Sequence, residues 1–187
     1  MNNTFYFLRH GKTKADENIP VSKWVLSEEG KQEAEDLAKS GIFDAVEVIY
    51  SSTEEKASQT AKPIAEKLGK EIIKIEALSE LNRDKGGFMD SEKYEKTAKD
   101  CLENPGESIE NWEPASQALK RFENEIVSIE KENENKKILI IGHGYTINMY
   151  FAKLLGIWDK VYKRLKSNTF ADWGIIKNGK VIKDLGK

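Results

Sequence analysis

The sequence predicts an α/β protein: a three-layer α/β/α sandwich around a mostly parallel central sheet. Three observations carry that expectation. Short β-branched or aromatic runs alternate with longer stretches whose apolar residues recur every three or four positions, the order expected of strands joined by crossover helices. Lys137–Ile141 (KILII) is apolar after its first residue, the pattern of a strand buried on both faces. Polar residues able to do chemistry stand directly after the strand-like runs, where ligands bind in open parallel sheets.

Taken in order, Thr4–Leu8 (TFYFL) reads as the first strand and stops at Arg9-His10-Gly11. Ser27–Ser40 reads as a helix, with Ser27 as N-cap, Glu28 and Glu29 in the first turn, and Gly41 past the end. Ala45–Tyr50 (AVEVIY) is β-branched and ends at Ser51-Ser52, and Lys56–Leu68 then places Ala57, Thr60, Ala61, Ile64, Ala65 and Leu68 on one helical face. Glu71–Ile75 is a weaker strand signal. Glu92–Leu102 and Trp112–Lys131 read as helices before the KILII strand, and Tyr145–Leu155 as a helix after it. Phe170–Ile176 and Lys180–Ile182 flank Asn178-Gly179, a strong hairpin signal.

Composition narrows the function classes. The 187 residues carry 30 Lys+Arg against 32 Asp+Glu, and 39% are hydrophobic, enough for one domain with a proper core. The resulting net charge of -2 provides no bulk attraction to nucleic acid or to an anionic membrane, so any anion site has to be built locally. The single Cys excludes an intrachain disulfide, and two His argue against a polyhistidine metal centre. No metal or other cofactor is expected. The opening MNNTFYFLRH lacks the features of a signal peptide and no apolar run reaches membrane length, so a cytoplasmic protein is expected.

Both His precede Gly and follow strand-like runs. In Arg9-His10-Gly11-Lys12-Thr13, Arg9 is a planar two-pronged donor beside an imidazole able to act as nucleophile, base or acid. Gly11 permits close backbone approach, and Thr13 adds a hydroxyl. Gly142-His143-Gly144 stands between the best strand and the start of a helix, whose N-terminus favours an anion. Together these residues describe a phosphate pocket at one sheet edge.

Leu8-Arg9-His10-Gly11-Lys12-Thr13 resembles the RHG signature of the histidine phosphatase superfamily, the phosphoglycerate mutase-like fold, and the likeness runs through the chain. Leu26-Ser27-Glu28-Glu29-Gly30 with Gln32 and Ala34 is similar to the family's "LTxxGxxQA" helix start. Ser51-Ser52 with Ala57, Gln59, Thr60 and Ala61 is similar to "SSPxxRAxQTA", Gly106-Glu107-Ser108 to "GES", and Ile141-Gly142-His143-Gly144 to the second histidine motif. The resemblance implies that His10 attacks phosphorus and becomes a phosphohistidine, with Arg9 and His143 holding the phosphoryl oxygens. It places Glu80, in Leu78-Ser79-Glu80-Leu81, as the general acid and base, with Asp84 and Glu107 as weaker candidates. Thr13, Gly144 and Lys56 complete the expected phosphate ligands. Lys56 stands where the family has its second Arg, keeping the charge and losing the fork.

The resemblance implies a metal-independent phosphomonoesterase on a small phosphorylated substrate. Residues 1–187 form its single domain, with 82–114 as the cap and specificity segment. A phosphoglycerate mutase, a phosphate-binding or regulatory module of reduced activity, and a phosphatase acting on a phosphohistidine protein are the alternatives left open. The oligomeric state is not legible.

Overall fold

An apolar run such as KILII is stable only where both of its faces are covered, and it does lie inside the sheet. In the computed structural model, which describes residues 2–186, the run is β4 (Lys137–Gly142), flanked by β2 (Val48–Ser51) on one side and β1 (Thr4–Arg9) on the other. β3 (Ile72–Lys74) pairs with β2 at one edge, and β5 (Trp173–Lys177) and β6 (Lys180–Gly186) extend the sheet beyond β1, giving the order β3-β2-β4-β1-β5-β6. The first four of these are mutually parallel; β5 runs antiparallel to β1 and β6 antiparallel to β5.

Alternate residues of each strand face opposite layers. Leu8, Ile49, Leu139 and Ile141 pack with Ala57, Ala61 and Ile64 of α2 (Glu55–Leu68) and with Ala38 of α1 (Glu28–Lys39). Phe5, Phe7, Ile138 and Ile140 pack with Phe122, Ile126 and Ile129 of α4 (Ala115–Glu132) and with Ile147 and Phe151 of α5 (Gly144–Leu155). These two cores make the three layers. A third cluster joins the segment 82–114 to the helical layer: Ala98, Cys101 and Leu102 of α3 (Ser91–Glu103) meet Trp112, Leu119, Met149 and Val161, the last on α6 (Val161–Ser167). No helix among the described residues is long and apolar enough to cross a membrane.

Several boundaries differ from those expected of the sequence. β2 begins at Val48 rather than Ala45, because the Val46 amide closes a turn onto Phe43 and Ala45 is exposed. α4 begins at Ala115 rather than Trp112: Pro114 occupies the N-cap, and Glu110 and Asn111 turn with φ of 50° and 62°, which sends Trp112 into the third cluster. β5 begins at Trp173, after a turn with Ala171 at φ 60°. The short α6 is additional to the elements expected of the sequence. Ser27 caps α1 as expected, its Oγ accepting from the Gly30 amide at 3.1 Å.

The parallel register brings the chemistry together. Arg9 pairs with Gly142 and Ser51 with Ile141, so β1, β2 and β4 end level with one another. The His10 amide donates to the Gly142 carbonyl at 3.0 Å and the Ser52 amide to the Ile141 carbonyl at 3.2 Å, setting His10, Ser52 and His143 side by side.

Candidate active site

His10 follows the last residue of β1 and is buried, 6% exposed. Its Nδ1 lies 2.8 Å from the Gly11 carbonyl, which can only accept, so Nδ1 carries the proton and Nε2 keeps its lone pair. Burial, reinforced by the nearby His143 and Lys56, holds the ring well below the usual imidazole range. His10 is thus a neutral imidazole with a free Nε2. Gly11 is required sterically: a Cβ there would stand 2.6 Å from the Gly30 carbonyl oxygen. Its amide donates to Thr60 Oγ1 at 3.0 Å, tying the loop to α2.

Arg9 donates from Nη1 to the Asn168 carbonyl at 3.1 Å and lies 4.5 Å over the Phe170 ring. A Cβ on Gly144 would sit 3.3 Å from the guanidinium carbon, so Gly144 is what lets Arg9 lie against the N-terminus of α5.

His143 occupies the N-cap of α5, its ring centroid 5.2 Å from that of His10. Ser52 Oγ stands 2.7 Å from its Nε2 and also accepts from the Glu54 amide at 3.3 Å. Nδ1 is buried with no hydrogen-bond partner among the described residues. Burial first, then Lys56, Arg121, Arg83 and Arg9, push this ring far below its ordinary range.

Glu80 reaches the same helix start. Its Oε1 accepts from the amides of Leu81 at 3.0 Å, Tyr145 at 3.1 Å and Thr146 at 3.2 Å, and its Oε2 from Tyr145 at 3.0 Å. Arg121 on α4 holds the loop that presents it, donating to the carbonyls of Ala77 at 3.0 Å, Ser79 at 2.7 Å and Glu80 at 2.6 Å while paired with Glu113 at 2.9 Å.

Lys56, in the first turn of α2, is not a solvated helix-start residue. It is 2% exposed, ion-paired to Glu54 Oε2 at 2.6 Å, and donates to the Val21 carbonyl at 2.8 Å. Glu54 also accepts the Glu80 amide at 2.7 Å and stands 3.5 Å from His143 Nε2.

A cavity of about 580 Å³ is lined by Arg9, His10, Thr13, Lys56, Glu80 and Gly144, so six of the seven residues expected from sequence share it; His143, next to His10, has no exposed surface. Phe88, Met89 and Tyr94, from the segment 82–114, form part of its wall. The other expectations fall elsewhere. Asp84 binds the amide and hydroxyl of Ser22, Glu107 is exposed, and Lys12 is exposed and paired with Glu29. Glu54, Arg121 and Glu113 carried no sequence signal as site residues. A wider cleft of about 1190 Å³ adjoins the cavity and shares Lys56, Glu80 and Arg83, but it reaches neither Arg9 nor His10. Among the described residues no group of three or more His, Cys, Asp or Glu is placed to hold a metal ion.

The profile of the histidine phosphatase superfamily (branch 1) matches residues 5–176. The chain belongs to this superfamily. Among curated members, phosphoserine phosphatase 1 of Hydrogenobacter thermophilus is 27% identical over 137 residues, 71% of this chain and 65% of that protein, so the match spans just under two thirds of the relative. A putative phosphoserine phosphatase 2 of the same organism is 25% identical, over 81% of this chain and 78% of its own. Solved members of the superfamily share the fold. A phosphoserine phosphatase mutant from Entamoeba histolytica in complex with phosphoserine superposes with a TM-score of 0.78 at 21% identity, over 99% of this chain and 95% of that one. A mycobacterial glucosyl-3-phosphoglycerate phosphatase superposes at 0.77 and 19% identity, over 98% and 96%.

Proposed function

We propose that the protein is a metal-independent phosphomonoesterase that works through a phosphohistidine on His10. The observation that carries this reading is the state of His10: a neutral ring, proton fixed on Nδ1 by the Gly11 carbonyl, Nε2 free, in a cavity with Arg9. In the first step Nε2 attacks phosphorus and the P–O bond to the alcohol breaks, the oxygen taking a proton from Glu80. In the second, Glu80 removes a proton from water, which attacks the phosphohistidine and releases inorganic phosphate and free His10. Arg9 and His143 stabilise the phosphoryl charge throughout. Thr13 and Lys56 border the same space.

The substrate is a small phosphorylated metabolite, since a cavity of about 580 Å³ walled by the segment 82–114 suits a small ester. That segment acts as the cap. The relatives' names make O-phosphoserine the first compound to test.

The test is turnover of p-nitrophenyl phosphate and O-phosphoserine in EDTA, with His10→Ala and Glu80→Gln beside the wild type. His10→Ala abolishes turnover, and wild-type protein quenched in mid-reaction carries an acid-labile phosphoryl group on His10. Glu80→Gln lowers turnover of the alkyl ester about 10²-fold or more, and of the nitrophenyl ester much less, because nitrophenolate leaves without a proton. Metal-independent turnover surviving in His10→Ala, or 3-phosphoglycerate isomerised without phosphate release, overturns the proposal.

A further inference from the structure

The turn between α6 and β5, residues 168–172, is fastened more firmly than a simple connection requires. Asp172 is buried, and its carboxylate accepts from the Thr169 amide at 2.7 Å, from Thr169 Oγ1 at 3.0 Å and from Asn168 Nδ2 at 3.3 Å. The backbone is sewn to the end of β1: the Arg9 amide donates to the Asp172 carbonyl at 2.9 Å, and the Ala171 amide to the His10 carbonyl at 3.3 Å. Ala171 holds φ at 60°, a left-handed conformation that is costly for a residue with a Cβ. A buried carboxylate and a strained alanine both oppose folding, so this shape calls for a use beyond joining two elements.

What the turn presents is Phe170. Its ring centroid lies 4.5 Å from the Arg9 guanidinium carbon and 5.7 Å from the His10 ring centroid, and the ring forms part of the cavity wall. One side chain thus stands against both the group that attacks phosphorus and the cation beside it. The hydrogen bond that anchors the Arg9 guanidinium, from Nη1 to the Asn168 carbonyl at 3.1 Å, comes from the same turn. A single bond at Nη1 leaves the guanidinium free to swing about it, and an aromatic ring packed against the cation removes that freedom.

We propose that Phe170 is a positioning residue for phosphoryl transfer: its ring fixes the Arg9 guanidinium and screens the His10 imidazole from water. This role rests on the phosphatase reading for what Arg9 and His10 do, but its test is read without turnover. The screening has a measurable consequence, because burial is the first cause of the low proton affinity of His10. His143 faces that ring from the start of α5, Lys56 from α2 and Arg9 from its own strand end, with Glu80 bordering the same cavity. Removing the Phe170 ring alters none of these groups and admits water to His10, which then protonates more readily.

The chain holds two histidines, so their ring resonances can be followed through a pH titration of the whole protein, with His10→Asn assigning them. In Phe170→Ala the His10 midpoint lies about one pH unit or more above that of the wild type, closer to the ordinary 6.5. Orthovanadate, titrated by calorimetry at fixed pH, binds Phe170→Ala about tenfold more weakly. Phe170→Leu, which keeps the volume and the fold but not the π face, retains the His10 titration and loses about fivefold in vanadate affinity. Phe170→Tyr keeps the ring and stays within about twofold of the wild type in vanadate affinity. An unchanged His10 titration or unchanged vanadate affinity in Phe170→Ala overturns the assignment, as does wild-type vanadate affinity in Phe170→Leu. A ring that merely touches the substrate would raise KM for p-nitrophenyl phosphate and leave both of those readouts unmoved, which also overturns it. Failure of the phosphatase reading shows separately, as wild-type protein that releases no phosphate from p-nitrophenyl phosphate or O-phosphoserine.

Discussion

Lys56 stands where the motif resemblance leads one to expect an arginine, and its surroundings show what a lysine there entails. A lysine at 2% exposure needs an anion close by, and Glu54 provides one at 2.6 Å. The same Glu54 carboxylate accepts the Glu80 amide and approaches His143, so the pair is tied to both residues. Breaking a buried pair leaves one charge uncompensated. Glu54→Leu and Lys56→Met should therefore each destabilise by about 3 kcal/mol, and the double replacement by clearly less than their sum. Urea midpoints of the four proteins measure this, and strictly additive losses would show that the two act independently. Lys56 was visible from sequence as a cation at a motif position. Glu54 was not, because its importance comes from partners on three different elements. His10, Arg9 and His143 were legible for the opposite reason: each sits next to a strand end that hydropathy alone reveals.

At the scale of elements, the site is assembled around the start of α5. Its first amides have no partner within the helix, and Glu80 satisfies them from a loop 65 residues earlier in the chain. That loop is held by Arg121 from α4, through three carbonyls that a regular strand or helix would have engaged itself. Arg121 thus positions Glu80 without entering the cavity lined by His10. Arg121→Ala should lower kcat on O-phosphoserine at least tenfold, since small misplacements of a catalytic group cost rate steeply, while KM changes little. Combined with Glu80→Gln it should add almost nothing further. If the two losses multiply, Arg121 acts on something other than Glu80. No local pattern marks this clamp, which depends on where α4 crosses the loop. The late start of α4 and the short α6 escaped for related reasons: one is set by a Pro N-cap and two left-handed residues, the other by packing of Val161 in the third cluster.

For the whole molecule, the two buried histidines shape its response to acid. Both are buried, and burial holds both well below the imidazole value of 6.5 that they regain on unfolding. Between that value and the depressed folded one, the unfolded chain binds protons that the folded chain refuses. Stability from this source is therefore fully present above pH 6.5 and is lost as pH falls below it, by up to about 1.4 kcal/mol per pH unit for each histidine. Carboxylates titrate near pH 4 in the unfolded chain and contribute little in this window. Urea unfolding between pH 7.5 and 5.0, in a buffer free of phosphate, should show stability flat at the upper end. Below pH 6.5 it should fall with a slope approaching two protons. His10→Asn should halve that slope, and His10→Asn with His143→Asn should remove most of it. A wild type whose stability is level down to pH 5.0 would mean that the folded protein accepts protons on these rings, and the neutral, nucleophilic His10 would lose its physical basis.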